Sequence, residues 1–252
     1  DLHSFPTRRS SDLVVYVIRQ DAGLAYTQNN ESVEVAEYTI GGENNPALPT
    51  LQNENELAVT YTSSDNNVAT VNEEGVVTPV GVGRTTISAT SEQTDVLLAG
   101  EASYLLTVYK DLSHESITVT VADMTYTGEA VSPEVTVMDG ETNITDYVTV
   151  AYSNNVAVGT SALVTITPKT ADVNYYVGST TQTFSIVNRT LEIGKDVNFA
   201  SGQKWASFYT TTENLELPDG VMAYIVTGVS TEAVTVKAIN YVPKDVPVLI
   251  EN

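Results

Sequence analysis

Short runs in which apolar and polar side chains alternate recur along the whole chain, and this alternation restricts the fold more than any other feature. Examples are Thr85–Thr90, Ile117–Val121 and Val164–Thr167, which consist largely of Thr, Val and Ile. β-Branched side chains are stiff at χ1 and pack well on a pleated sheet, and a period of two places the apolar set on one face. No window has a sustained 3.6-residue apolar period. The sequence therefore predicts an all-β protein with half-buried antiparallel strands.

Charge and residue usage exclude several classes of function. The 252 residues include 32 Asp and Glu against 11 Lys and Arg, and a net charge of −21 repels nucleic-acid phosphates and anionic lipid. There is no Cys, which removes disulfides, Cys-ligated zinc and a thiol nucleophile. There are only two His residues, so a catalytic triad or a multi-His metal site has at most two candidate side chains. No stretch is long and apolar enough to span a bilayer. We expect no nucleic-acid partner, no membrane insertion, no cofactor and no metal.

The N-terminal residues differ in composition from the rest of the chain. Residues 3–13 resemble the translation of a common sequencing adapter, so we interpret residues 1–13 as an adapter-derived, disordered artefact and exclude them from the fold. The apolar run Val14–Ile18 is too short for the core of a secretory signal and is typical of a strand. We interpret residues 14–20 as the tail strand of a preceding module that has been lost. The absence of a signal peptide then carries no information.

From residue 21 to residue 110, predicted strands follow one another about every ten residues, with turns rich in Gly, Asn, Asp and Pro between them. Residues 59–90 read VTYTSSDNNVATVNEEGVVTPVGVGRTTISAT, and residues 104–108 read YLLTV. This segment resembles the bacterial Ig-like domain, group 2, whose pattern runs from an aromatic-containing strand through S-S-x-x-x-V-A-T-V and T-x-I-x-A to L-T-V. Tyr61 stands where the family often has Trp, and it keeps an amphipathic aromatic side chain in the core. The resemblance implies an Ig-like β-sandwich over residues 21–110.

Two further modules are predicted beyond that sandwich. Residues 111–188 contain YTGEAVSP from Tyr126, DYVTVAYSNN from Asp146 and TFSI from Thr183. These motifs are similar to a second Ig-like repeat of bacterial surface proteins. Residues 189–252 resemble a small β domain that recurs near the C-terminal part of such proteins, and because the sequence stops directly after an apolar strand, we interpret this domain as truncated. The fold prediction is thus two tandem Ig-like sandwiches followed by an incomplete β domain.

Several polar motifs suggest chemistry only superficially. The segment Gly81–Thr86 has the glycines of a phosphate-binding loop, but it lacks the Lys and the helix that such a loop requires. The oxygen-rich turns Asp65–Asn67 and Asn72–Gly75 lack the ligand spacing of a calcium loop. Three carboxylates near residue 111 leave open a calcium ion shared at a domain junction; they are Asp111, Glu115 and Asp123. We expect turn residues in each case and assign no metal ligand.

Aromatic side chains offer a second kind of candidate site. A sugar-stacking platform could be built from three aromatic residues, Trp205, Phe208 and Tyr209. Alternation along a strand, however, places Phe208 on the opposite face from the other two. We therefore expect core packing, and we expect the same of the Tyr175–Tyr176 pair. His114 beside Glu115 is interpreted as exposed and inert. The chain has 32 acidic residues, so carboxylate pairs arise by chance. Such a pair indicates catalysis only where a cleft holds it, and we therefore assign no catalytic residue.

These observations predict a non-catalytic stalk, spacer or adhesin-type Ig-like region of a bacterial cell-surface or secreted multidomain protein, with the ligand unknown. It would be extracellular and monomeric, and its partner, if any, a host or cell-surface glycan or protein. Two alternatives stay open. One is a carbohydrate-binding module, which needs an exposed, coplanar aromatic pair on one sheet face. The other is an accessory region of a secreted glycoside hydrolase, which needs a catalytic domain elsewhere.

Overall fold

A computed structural model describes residues 18–170 and 174–252 of the chain. The predicted all-β fold class is confirmed, because the described residues form many short strands and one 3₁₀ turn. The interpretations of residues 1–13 and of residues 14–17 lie outside the described residues. Two compact units are present: the first ends at Asp111 and also contains Thr170–Val177, and the second contains Leu112–Lys169 and Gly178–Asn252.

The first unit is a two-layer β-sandwich. Its strands are β1 Leu24–Gln28, β2 Glu31–Ser32, β3 Val35–Ile40, β4 Thr50–Asn53, β5 Val59–Ser63, β6 Ala69–Val71, β7 Val77–Pro79, β8 Gly83–Ser91 and β9 Gly100–Asp111. One sheet has the order β5-β8-β9, with β3 pairing in parallel on the far edge of β9. The opposite layer contains β2-β1-β4 and the hairpin β6-β7.

The core of this sandwich follows from the alternation seen in the sequence. Thr85, Ile87 and Ala89 of β8 are all at most 1% exposed, while the side chains between them are more exposed. They pack with Tyr104, Leu106 and Val108 of β9 and with residues of the opposite layer. Period-two patterning therefore places Thr85, Ile87 and Ala89 of the T-x-I-x-A motif inside.

Thr85 explains why two serines precede the turn at Asp65. Its buried hydroxyl lies 2.8 Å from Ser63 Oγ and 3.1 Å from Ser64 Oγ, and it accepts a hydrogen bond from Asp65 N–H at 2.9 Å. Ser64 Oγ in turn accepts from Thr86 N–H at 2.8 Å. This network ties the end of β5 to the start of β8, so that the buried Thr85 hydroxyl and the polar groups of the adjoining turn are satisfied.

The last residues of the predicted tail strand lie against the first sandwich. Gln20 N–H donates to Val96 O at 2.9 Å, and Leu98 N–H donates to Gln20 O at 2.8 Å. Gln20 therefore forms a bridge to the loop between β8 and β9. Both backbone partners of Gln20, Val96 and Leu98, belong to the segment 21–110, in which the Ig-like sandwich was predicted.

The second unit contains two groups of sheets. The first group is formed by β10 Ile117–Val121, β11 Met124–Thr125, β12 Val135–Asp139, β13 Thr142–Asn143, the 3₁₀ turn Thr145–Tyr147, β14 Val148–Ser153, β15 Gly159–Pro168 and β17 Thr180–Val187. The sheets have the orders β10-β12-β13 and β11-β17-β15-β14. Val137, Val164 and Ile166 are fully buried between them. The intervening short strand β16, Tyr176–Val177, pairs with the end of β9 and belongs to the first unit.

Residues from 189 onward form the other group. Its strands are β18 Arg189–Thr190, β19 Trp205–Phe208, β20 Leu215–Glu216, β21 Met222–Val229, β22 Val234–Ile239, β23 Tyr241–Val242 and β24 Val248–Glu251. The sheets have the orders β18-β20-β23 and β19-β24-β21-β22. Leu191, Leu215, Ala223, Val242 and Ile250 pack between the sheets and are at most 1% exposed. A core whose members all lie between residues 191 and 250 supports the predicted module boundary at residue 189, which stays a prediction.

Candidate functional site

The glycine-rich segment Gly81–Thr86 is a tight turn that leads into β8. Val80 and Gly81 both donate their N–H groups to Val68 O, at 2.9 and 3.2 Å. Gly83 has φ +137°, and a Cβ there would lie 3.0 Å from a methyl group of Val68. A strand follows the glycines instead of a helix, so the segment has no helix N-terminus with which to bind a phosphate.

The oxygen-rich turns use their side chains locally. Asp65 Oδ1 accepts from Asn67 N–H at 2.9 Å, and Asn72 Oδ1 accepts from Val76 N–H at 2.7 Å. Gly75, at φ +80°, closes the second turn directly over the Tyr61 ring. These are the hydrogen bonds by which Asp and Asn stabilise turns.

The junction carboxylates are not brought together as a metal site within one unit. Asp123 Oδ1 accepts a hydrogen bond from Ser185 N–H at 2.6 Å, while Asp111 is the last residue of β9 in the first unit. In the part of the chain that the structure describes, no group of three or more His, Asp or Glu side chains is arranged to hold a metal ion.

His114 is half-buried and hydrogen-bonded, which differs from the expected exposed position. Its Nδ1 lies 2.9 Å from Ser116 Oγ, and Ser116 Oγ donates to Asp139 Oδ1 at 2.7 Å. In a hydrolytic triad the His lies between the Ser and the carboxylate, so that it can take the hydroxyl proton. Here the Ser lies in the middle, and its proton is bound to Asp139. The arrangement joins the start of β10 to the end of β12 instead of activating a nucleophile.

The tyrosine pair near residue 175 is divided between two environments. Tyr176 is 3% exposed, as expected for core packing. The Tyr175 ring lies 6.2 Å from the Tyr109 ring, and the Arg84 guanidinium carbon is 5.9 Å from its centroid. The first unit therefore holds Tyr175 by an aromatic contact and a cation–π contact.

The aromatic residues of β19 depart from the expected core packing. Phe208 does pack against the core of its module, and Ala206 lies on the same inward face. Trp205 is 43% exposed, and Tyr209, beyond the end of the strand, is 53% exposed. Alternation correctly separates Phe208 from Trp205, but the outer face of the sheet is not covered within this module.

Trp205 has a defined neighbourhood on that outer face. The strand register places it beside Glu251 of β24 and then Met222 of β21, while Ser207, Leu249 and Tyr224 form the next row. The Tyr224 ring lies 5.1 Å from the Trp205 ring, at an interplanar angle of 46°. The two rings lie on one sheet face, Trp205 exposed and Tyr224 half-buried, and they are tilted, not coplanar. The Tyr224 hydroxyl donates to Glu251 Oε2 at 2.9 Å, and this bond raises the pKa of Tyr224.

An ion cluster around Arg189 was missed by sequence reasoning. The Arg189 guanidinium contacts both oxygens of Asp196, at 2.5 and 3.0 Å, and its Nε lies 3.2 Å from Glu213 Oε1. Asp196 and Glu213 are only 13% and 12% exposed. The hydrogen bond from Arg189 lowers the pKa of Asp196, against the opposing effect of burial. Glu213 lies 24 residues from Arg189, so only the seven-residue spacing of Arg189 and Asp196 offered a signal in the sequence.

Two buried phenols mark the core of the first sandwich. Tyr26 and Tyr104 are 3% and 1% exposed, and their rings meet edge to face at 4.7 Å. Neither hydroxyl has a hydrogen-bond partner among the described residues. Burial raises the pKa of Tyr26 to about 12 and raises that of Tyr104 further. The phenols are therefore neutral at physiological pH, and the geometry gives them a packing role.

Tyr61 lies between two open clefts of the first sandwich. One, of about 320 Å³, is lined by Leu48–Leu51, Tyr61 and Glu74–Val77. The other, of about 490 Å³, is lined by Val59–Tyr61 and Val71–Glu73. Their volumes are those of small-molecule sites, and each cleft has a single charged side chain in its lining, Glu74 in the first and Glu73 in the second.

Comparison with known proteins agrees with the Ig-like resemblance. Residues 47–99 match the family model of the bacterial Ig-like domain (group 2), inside the segment where the sequence predicted it. No curated protein matches the chain. The chain is similar to a crystal structure of domains 4 and 5 of the S-layer protein SbsC, with 20% identity, a TM-score of 0.25, and 65% of this chain and 97% of that chain covered. It is also similar to domains 1–6 of SbsC, with 14% identity, a TM-score of 0.27, and 88% and 37% covered.

Proposed function

We propose that the chain is a non-catalytic, load-bearing spacer region of a bacterial cell-surface or secreted multidomain protein. The observation that carries the proposal is the pairing of β3 with β9 in the first sandwich. Six residue pairs, from Val35 with Leu105 to Ile40 with Lys110, run in parallel. β3 lies near the start of this sandwich and β9 at its end.

Parallel pairing of these two strands determines how the sandwich responds to tension. A pull on the N-terminal side loads the Gln20 bridge and β1 first and reaches β3 at Val35 once these have detached, while a pull on the C-terminal side reaches β9 beyond Lys110. The two forces act in opposite directions along the strands, so all the hydrogen bonds between them are sheared together. Antiparallel strands pulled from one end would instead lose their bonds one after another. The pairing therefore suits a module that must stay folded under load.

Two hydrogen bonds define the backbone directions in β3. Leu105 N–H donates to Glu34 O at 2.8 Å, so Glu34, Ala36, Tyr38 and Ile40 direct their backbone groups toward β9. Thr39 N–H points the other way and donates to Asn45 Oδ1 at 2.7 Å. Tyr38 thus contributes its backbone groups to the ladder between β3 and β9, whereas its immediate neighbours, Glu37 and Thr39, direct theirs away from β9.

The absence of catalysis and the extracellular location are parts of the same proposal. Support comes from the family match to a bacterial Ig-like domain and from the uses of the polar side chains, since Asp65, Asn72, Thr85 and His114 all hold turns or strand ends together. Fold alone does not establish function, so each part requires its own measurement.

The mechanical part is tested by stretching the full 252-residue chain in a single-molecule force experiment. Segments 21–110, 111–188 and 189–252 would lengthen to about 300, 260 and 210 Å when fully extended. We expect separate unfolding events, with the longest increment at a higher force than the next. The second module has only a two-pair parallel contact, Met124–Thr125 with Ile186–Val187, and should yield earlier.

A pair of proline variants provides the control. Tyr38→Pro removes an N–H from the ladder, and Glu37→Pro removes one that points away from β9. Only the first should lower the unfolding force of the longest increment substantially. Equal forces for both variants, or one concerted event for the whole chain, would contradict the load-bearing role. Turnover of glycoside, ester or peptide substrates that is lost on replacing one acidic residue would contradict the non-catalytic role.

A further inference from the structure

The outer face of the sheet β19-β24-β21-β22 carries an amphipathic patch, which we define as Trp205, Ser207, Met222, Tyr224, Leu249 and Glu251. All six side chains lie on one face by strand register. Trp205 and Met222 are 43% and 49% exposed, so together they leave apolar surface open on this face. We propose that this patch binds the pyranose rings of a neutral glycan, a role that goes beyond the spacer function.

The apolar part of the patch fits one face of a sugar ring. A pyranose presents C–H groups on its faces and hydroxyls around its rim, so it stacks on an exposed aromatic ring and keeps its hydroxyls in a polar surrounding. Trp205 alone provides the stacking surface, because Tyr224 is tilted by 46° against it and the coplanar pair expected of a carbohydrate-binding module is not formed. Tyr224, at 5.1 Å and 46°, packs beside the indole and fixes its orientation, so little side-chain freedom is lost on binding.

The polar part of the patch fits the hydroxyls. Glu251 neighbours Trp205 across the strand pair, and its Oε2 is held by the Tyr224 hydroxyl. The other oxygen, Oε1, has no hydrogen-bond partner among the described residues. The bond from Tyr224 holds the carboxylate in place and so also fixes the direction of Oε1. A carboxylate oxygen is a strong acceptor for a sugar hydroxyl. Ser207, in the next row, adds an exposed hydroxyl.

Charge restricts the occupant further. An apolar protein surface placed on the patch would bury the Glu251 carboxylate without a cationic partner, which is costly. An anionic glycan would meet the same carboxylate on a chain of net charge −21. A neutral glycan avoids both penalties, because it supplies hydroxyl donors and carries no charge.

Trp205 is the single tryptophan of the chain, so its fluorescence reports directly on the patch. The probes are cellohexaose, chitohexaose and xylohexaose, with trigalacturonate as the anionic comparator, titrated into the full chain to millimolar concentration. We expect a saturable change in emission with at least one neutral probe and none with trigalacturonate. Calorimetry should then show affinity at least about 10-fold lower for Trp205→Ala, as for other aromatic anchors that become buried on binding.

Two variants complete the test. Tyr209→Ala removes an exposed aromatic side chain outside the patch and should leave affinity within about twofold, whereas Glu251→Gln keeps the shape of the patch and should weaken binding about fivefold. Circular dichroism confirms that each variant is folded. No saturable signal with any neutral probe, equal losses for Trp205→Ala and Tyr209→Ala, or self-association of the chain that Trp205→Ala abolishes would each overturn the proposal. None of these results would affect the force experiment on the spacer.

Discussion

Replacement of Arg189 by Met should destabilise the C-terminal module by about 3 kcal/mol. Arg189 binds both oxygens of Asp196 and one oxygen of Glu213, and these carboxylates are only 13% and 12% exposed. Removing the shared partner of buried charges usually costs about 3–5 kcal/mol. Because Arg189 itself is 28% exposed, water partly replaces it, and the lower end of that range applies. Glu213 Oε2 is already buried without a partner, which adds to the cost.

The matched control is Lys195→Met, which removes the same charge from the same module. Lys195 and its partner Glu192 are 66% and 50% exposed, and such surface pairs contribute about 0–1 kcal/mol. Urea unfolding followed by Trp205 fluorescence reports on this module. In a small domain, a loss of 3 kcal/mol corresponds to a fall in Tm of roughly 12 °C or more. Equal losses for the two variants would show that net charge matters and the cluster does not.

The pH dependence provides an independent check on Asp196. The hydrogen bond from Arg189 holds the pKa of Asp196 below its ordinary value. A folded-state pKa below the unfolded value, about 3.9, means that this stabilisation is complete above that value and is lost as the pH falls through the folded pKa. Arg189→Met lacks the bond, so the difference in stability from the natural protein should narrow between roughly pH 5 and pH 2. A difference that is constant over this range would refute the role of the ion pair.

Three further changes test the first sandwich, with Gly128→Ala in the second unit as a control, and each is measured by chemical denaturation. Tyr104→Phe removes a buried hydroxyl without a partner and should leave stability unchanged or raise it by up to about 1 kcal/mol; a clear loss would mean that the hydroxyl is satisfied. Gly75→Ala forces a Cβ to within 2.8 Å of Tyr61 ring atoms at φ +80° and should cost about 2–3 kcal/mol, whereas Gly128→Ala, at φ +86° with open space, should cost about 1 kcal/mol. Thr85→Val keeps the shape but removes the hydroxyl that binds two serines and a backbone N–H, and it should cost about 2–3 kcal/mol; a loss below 0.5 kcal/mol, typical of surface changes, would contradict its role.

The local features of the fold could be predicted from the sequence because they depend on neighbouring residues. Alternation along a strand decides which side chains share a face, and so Ile87 and Ala89 lie inside and Phe208 is separated from Trp205. Turn chemistry is equally local, since Asp65 and Asn72 bind backbone groups two to four residues away. The all-β class follows from these two rules repeated along the chain, whereas the Ig-like segment was predicted from its resemblance to a family pattern.

Only the tertiary structure decided which strands pair and what covers each face. The parallel contact of β3 with β9 joins residues 70 positions apart, and nothing in either strand specifies that partner. Glu213 reaches Arg189 across 24 positions for the same reason. Trp205 lies in a strand whose alternation would suit a covered or an open outer face equally well. Its exposure depends on whether another layer packs there, and that is a property of the whole assembly of strands and not of the strand itself.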